Sequence, residues 1–132
     1  MKYFLDTNIC IYFLKGLYPS IKDKFQQINP NDIKIPSIVK AELLYGIEKS
    51  VKKKNNLELV NNFLFPFEIV PFDSSAAEFY SKIRSSLEKS GSIIGPNDLI
   101  IASIVAANKG TLISNNEKEF KRIKNLQVKN WI

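Results

Sequence analysis

The sequence predicts an α/β fold, a three-layer sandwich in which a central, mainly parallel sheet carries helices on both faces. Three observations carry that expectation. Short β-prone runs alternate with helical segments along the whole chain. The joints between them hold stops and turn residues, among them Gly16, Pro30, Pro66, Gly91 and Gly110. The 132 residues are 45% hydrophobic, enough to bury one core without disulfide or structural metal. No repeat, linker or low-complexity stretch interrupts them, so residues 1–132 are expected to form a single domain.

The elements follow in order. "KYFL" reads as a strand ending at Asp6, and "TNICIYFLKG" as a helix with apolar Ile9, Phe13 and Leu14 and a stop at Gly16. Pro19 opens a second helix that Pro30 closes, and "NDIKIPS" gives a turn and a second strand. Ser37 is placed to cap a helix running to about Lys49. The "KKKNNLELVNNFLF" region is a further helix, broken at Pro66. "FEIVPF" is a strand, and Asp73 to Ser90 an amphipathic helix with Ser75 and Glu78 as a capping box and Gly91 as its stop. "GPNDLIIASIVAAN" is an apolar helix for which Asn97 offers a cap. "TLIS" is a strand, "NEKEFKRI" a short helix and "LQVKNWI" the last strand.

Composition removes several chemistries. There is no histidine, which excludes Ser-His-Asp and Cys-His catalysis, histidine acid/base pairs and the usual zinc hydrolase sites. The single cysteine, Cys10, excludes an internal disulfide and reads as a small core residue. Leu99 to Ala107 is far shorter than the roughly 20 apolar residues of a membrane span. Asp6 and Asn8 interrupt the N-terminal apolar run, which lacks a cleavage site, so it reads as the first folded element of a cytoplasmic protein with no membrane partner. The net charge of +6 suits a polyanionic partner without proving one.

What remains is carboxylate, amide, hydroxyl and lysine chemistry, or a hard metal ion. Asp6 stands at the end of the first strand. Glu42 lies in the helix after the second, with Ile38, Val39, Tyr45 and Gly46 as helical neighbours and no local base. Asp98 is the one charged residue of its helix. In a parallel sheet the loops after the strand C-termini line a common crevice. Three carboxylates there would repel one another unless a divalent cation held them, and Mg²⁺ or Mn²⁺ prefers oxygen ligands. Taken singly, Asp6 or Asp98 reads first as a helix cap, contributing on the order of 1 kcal/mol, and Glu42 as the partner of a distant base; it is the three together, in matching topological positions, that point to function.

The segments "FLDTNICIYFLKG", "IPSIVKAELLYGIEKS", "GPNDLIIASIVAANKGTLISNNEKEF" and "VKNWI" resemble a PIN-domain ribonuclease of the VapC type, the toxin of a bacterial toxin–antitoxin pair. The motifs are a strand ending Asp-Thr-Asn, a helical Glu after Ser-x-x-x-x, and Pro-x-Asp-x-x-Ile-Ala. The resemblance implies that Asp6, Glu42 and Asp98 are metal-binding catalytic acids, with Thr7 and Ser114 as hydroxyls near the site. The family's fourth acidic position falls in "SNNEKEF", where Asn116 stands in place of the usual Asp. Glu119 is the nearest carboxylate there, and Asn116 with Glu119 also fits a capping box. The implied activity is Mg²⁺- or Mn²⁺-dependent cleavage of structured RNA such as tRNA. The implied partners are a VapB-type antitoxin blocking the pocket, operator DNA through that antitoxin, a homodimer and a toxin–antitoxin hetero-oligomer. Lys52 to Lys54 and Lys118 to Lys124 are candidate phosphate contacts or simply solvated faces. Leu57, Val60, Phe63 and Phe65 are candidates for an interface or for the core.

Competing readings fit less well. A haloacid-dehalogenase-like phosphatase needs Asp-x-Asp, and Asn8 takes the second position. A receiver domain needs paired acids by the first strand, and "FLDTN" offers one, although Asp73 could pose as its phosphoacceptor. A catalytically silent PIN-like module that binds RNA or protein remains the alternative.

Overall fold

The structure, a computed structural model, describes residues 1–132. Five strands form one sheet in the order β3-β2-β1-β4-β5: β1 Tyr3–Leu5, β2 Ile33–Pro36, β3 Glu68–Val70, β4 Thr111–Ile113 and β5 Gln127–Lys129. Every adjacent pair is parallel, with Tyr3 opposite both Ile33 and Thr111. A parallel sheet needs a crossover between successive strands, and helices supply them. Helices α1 Thr7–Leu14 and α2 Pro19–Gln27 with a 3-10 turn at Pro30–Asp32 link β1 to β2. The pair α3 Ser37–Glu48 and α4 Lys53–Leu64 leads to β3, α5 Ser74–Ser90 and α6 Pro96–Ala107 to β4, and α7 Glu117–Phe120 to β5. The α/β class, the parallel sheet and the order of elements agree with the sequence expectation.

The chain moves across the sheet in one direction from β1 to β3, then jumps back over β1 to place β4 on its other side. Because such crossovers are right-handed, the two directions of travel put α1 to α4 on one face and α5 to α7 on the other. The core is apolar on both faces of the sheet, as buried parallel strands require. Phe4, Leu5, Ile33, Ile35, Leu112 and Ile113 are fully or almost fully buried, with Ile101, Ile104 and Val105 of α6 against them. Cys10 is buried, as expected. Phe13, Phe25, Phe63, Phe67 and Trp131 pack as an aromatic cluster with ring centroids 4.3 to 6.0 Å apart. The four candidate interface residues therefore divide: Val60 and Phe63 belong to the core, whereas Leu57 is 42% and Phe65 90% exposed.

The helix starts correct three expectations. The cap of α3 is Pro36, and Ser37 is already the first helical residue. The cap of α5 is Asp73, whose Oδ1 accepts from the Ala76 N–H at 2.9 Å in place of the Ser75/Glu78 box. The cap of α6 is Gly95, with Pro96 at the first helical position and Asn97 inside the first turn. In each case the cap is the last residue with non-helical backbone, and a polar side chain one or two positions further on has no vacancy to fill. Gly91 ends α5 as expected, in the left-handed region at φ 68°. Asp73→Ala should therefore lower unfolding free energy by about 1 kcal/mol, read as a shift in urea midpoint with unchanged slope. Ser75→Ala should move it far less.

Candidate active site

The reversal of direction between β3 and β4 puts a crevice between β1 and β4 at their carboxyl ends, the place where an open parallel sheet binds ligands. Asp6 follows β1 directly and Ser114 follows β4 directly. The Asp6 N–H donates to the Ile113 carbonyl at 3.1 Å and the Ser114 N–H to the Lys129 carbonyl at 3.0 Å, so both are fixed to the sheet. Asp6 is only 5% exposed. Its Oδ1 caps α1 by accepting from the Ile9 N–H at 2.9 Å, so the capping role is real. Burial pushes the Asp6 carboxyl above its ordinary range, and hydrogen bonds from Ser114 and Ile9 offset this only in part.

Glu42, half-buried on α3, is oriented by two side chains from elsewhere in the chain. Thr7 Oγ1 donates to its Oε1 at 2.6 Å and Asn97 Nδ2 to its Oε2 at 3.3 Å. Thr7, which the family resemblance places near the site, therefore contacts Glu42 directly. Asn97 enters by a route that sequence reasoning missed, as a donor to Glu42 rather than a cap. Its only signal was its place beside Asp98.

Asp98 lies in the first turn of α6, half-buried. Its carboxyl is pushed up to about 6, first by burial and then by the charges of Glu119, Asp6 and Glu42. A helix N-terminus favours a negative charge, so burial and like charge overcome the dipole here. The other three acids each accept hydrogen bonds from the protein; Asp98 accepts none. No lysine or arginine lies within ion-pair distance of any of the four, the ion pairs being Lys34–Glu68, Lys53–Glu48, Arg84–Glu88 and Lys121–Glu117.

Glu119 approaches from α7. Its Oε1 accepts from the Gly95 N–H at 2.8 Å and its Oε2 from Asn116 Nδ2 at 2.9 Å. Those two bonds hold its carboxyl below the ordinary range, the Asn116 bond contributing most. The capping box proposed for Asn116 and Glu119 does not form. The Asn116 N–H turns instead to Ser114 Oγ at 2.9 Å, and its side-chain amide meets Glu119.

The site thus gathers Asp6, Glu42, Asp98 and Glu119 with Thr7, Asn97, Ser114 and Asn116 around one end of the sheet. The donor set is hard oxygen throughout, which suits a divalent cation of the magnesium or manganese kind. No three of these carboxylates lie close enough together to hold one ion between them. The basic candidates at Lys52 to Lys54 and Lys118, Lys121, Arg122 and Lys124 are exposed. Among them, Lys53 and Lys121 pair with surface glutamates, and Arg122 Nη1 donates to the Ile93 carbonyl at 2.9 Å.

Comparison with known proteins identifies the family. The PIN domain family matches residues 3–126. Ribonuclease VapC2 of Rickettsia felis is 46% identical over 132 residues, covering 99% of this chain and 98% of that protein. The tRNA(fMet)-specific endonuclease VapC of Salmonella typhimurium is 34% identical, covering 99% and 98%. VapBC2 of Rickettsia felis, crystallised with a DNA fragment from its promoter, superposes with a TM-score of 0.93 at 44% identity and full coverage of both chains. The chain belongs to the PIN-domain family, among the VapC ribonucleases.

Proposed function

We propose that this chain is a single-domain, metal-dependent endoribonuclease toxin that hydrolyses phosphodiester bonds in structured RNA, with tRNA as the substrate class. The observation that carries the reading is Asp98, an acid at a helix start whose charge no group of the protein compensates, beside Asp6 and Glu42. Asp6, Glu42 and Asp98 would hold Mg²⁺ or Mn²⁺. The ion, when bound, supplies polarisation of the attacking water and offsets charge gathering on the phosphate oxygens. Thr7 and Asn97 orient Glu42, and the bonds from Ser114 and the Ile9 N–H favour the ionised form of Asp6 against its burial. With the three acids neutralised, 19 basic residues face 10 of the 13 acidic ones, a surplus that suits RNA phosphates around the crevice.

The names and assemblies of the relatives support the rest. A VapB-type antitoxin silences the chain and carries it to operator DNA, the toxin forming a homodimer within that hetero-oligomer. A tRNA substrate puts its work in the cytoplasm. The test is cleavage of end-labelled tRNA by antitoxin-free protein in Mg²⁺ or Mn²⁺, beside EDTA. We expect discrete cuts with metal and none in EDTA. Cutting that survives EDTA would overturn the metal requirement; no cutting of tRNA or any other RNA would overturn the nuclease and favour a silent binding module.

A further inference from the structure

Both oxygens of Glu119 are already engaged, one by a main-chain N–H of a different element and one by a side-chain amide. The N–H belongs to Gly95, the cap of α6, whose carbonyl accepts the first intrahelical bond from the Leu99 N–H at 3.0 Å. The N–H groups at a helix start have no partner inside the helix, so Glu119 answers one of them, and does so at the positive end of the helix dipole. Asp98 and Glu119 flank the same glycine: a Cβ on Gly95 would lie 3.8 Å from Asp98 Oδ2 and 3.9 Å from Glu119 Oε1. A second tether, from Arg122 to the Ile93 carbonyl, fastens the preceding loop to the end of the same segment.

We infer that Glu119 is a positioning residue rather than a metal ligand: with Asn116 it clamps the start of α6 to α7 and so sets where Asp98 stands. The clamp explains why an amide suits position 116. An Asp there would turn the donor that holds Glu119 into a third carboxylate beside Glu119 and Asp98. The burden of Glu119 as a like charge near Asp98 is then the cost of holding the helix start. The inference rests on the proposed role of Asp98 in the site.

Three variants separate the possibilities, because a clamp needs a hydrogen-bond acceptor whereas a ligand needs a charge. Glu119→Gln keeps an oxygen for the Gly95 N–H, Glu119→Ala removes it, and Asn116→Ala weakens the clamp without touching a carboxylate. Three quantities are measured on each folded full-length variant: Mn²⁺ affinity from thermal shift without RNA, kcat and KM on tRNA, and amide exchange at Gly95. We expect Glu119→Ala to weaken Mn²⁺ binding or kcat by about 10- to 100-fold, as loss of an outer partner of a ligand does, with KM nearly unchanged. Gly95 exchange should accelerate in parallel. Asn116→Ala should follow in the same direction, and Glu119→Gln should recover most of the loss. Equal losses in the Gln and Ala variants with Gly95 protection intact would make Glu119 a ligand and overturn the clamp. A lowered melting temperature with Mn²⁺ affinity and kcat unmoved would reduce it to scaffolding and overturn it equally. Should the wild-type chain cut no RNA, metal affinity and Gly95 exchange still read the clamp, and only the nuclease proposal fails.

Discussion

Asp98→Asn is expected to abolish most RNA cleavage while making the metal-free protein more stable. Removing one group that stabilises charge in a transition state lowers turnover by about 10²- to 10³-fold, and Asp98 is the acid with no other partner to share its work. The gain in stability comes from the same isolation. The folded-state carboxyl titrates at about 6 against an ordinary 3.8, because burial and the charges of Glu119, Asp6 and Glu42 oppose its ionisation. Its contribution is present in full below pH 3.8, where both folded and unfolded forms are protonated, and is lost as pH rises towards 6 and the folded form must ionise. Taken at face value that shift corresponds to about 3 kcal/mol. The side chain is only half-buried, so solvent screening reduces the figure to the order of 1 kcal/mol. Urea unfolding in EDTA should show the Asn variant more stable than wild type at pH 7.5, with the difference fading near pH 4. Saturating Mn²⁺ should reverse the order, since binding to the native state alone adds about 2.7 kcal/mol at a hundredfold excess over Kd. A variant that is no more stable in EDTA would mean the charge is compensated by water; one that still cuts RNA would remove Asp98 from the chemistry.

Gly110→Ala is expected to be the most damaging one-methyl change in the fold. Gly110 follows α6 and leads into β4, and its backbone passes over the Phe4 ring. A Cβ there would overlap Phe4 Cε1 and would stand 2.5 Å from Cδ1 and 3.2 Å from the Lys2 carbonyl oxygen. Phe4 is fully buried in β1 and has no open side to move towards. Overpacking of this kind costs about 1–3 kcal/mol, and the cost arises from shape alone, Gly110 having ordinary backbone. Trimming the obstacle should relieve it: in the Gly110→Ala background, Phe4→Leu should cost less than it does in wild type. Denaturant midpoints of the four proteins measure that coupling. Additive effects would show that the strand moves aside, and the close approach would then explain nothing.

These two sites were not equally legible in the sequence. Asp6, Glu42 and Asp98 stood out as acids in apolar company without a local base; a strand end delivers Asp6 to the crevice, a helix start Asp98, and the body of α3 Glu42. The order of elements was legible because each short apolar run is bounded by a stop such as Gly16, Pro66 or Gly91. Caps were not. Pro36, Asp73 and Gly95 hold those positions where Ser37, Ser75 and Asn97 looked equally able, because a cap is chosen by where the backbone turns helical and not by which polar residue lies near. The bonds that orient the acids were hidden for another reason. Asn97 meets Glu42 across 55 residues and Glu119 meets Gly95 across 24, and no local pattern encodes a partner at that separation. Gly110 read as a helix stop; that Phe4 presses on it is a fact of strand pairing 106 positions away.

That pairing also orders events in time. The central strand β1 is made well before its neighbour β4, with Tyr3 opposite Thr111. Contacts so distant in sequence make folding slow, because a long loop must close before they reward it. A growing chain on the ribosome carries Asp6 and Glu42 early but has no crevice until residues 111–114 emerge and displace solvent from the open edge of β1. Truncation anywhere before that point leaves the acids on an incomplete sheet, so no site forms until the 111–114 segment has been made.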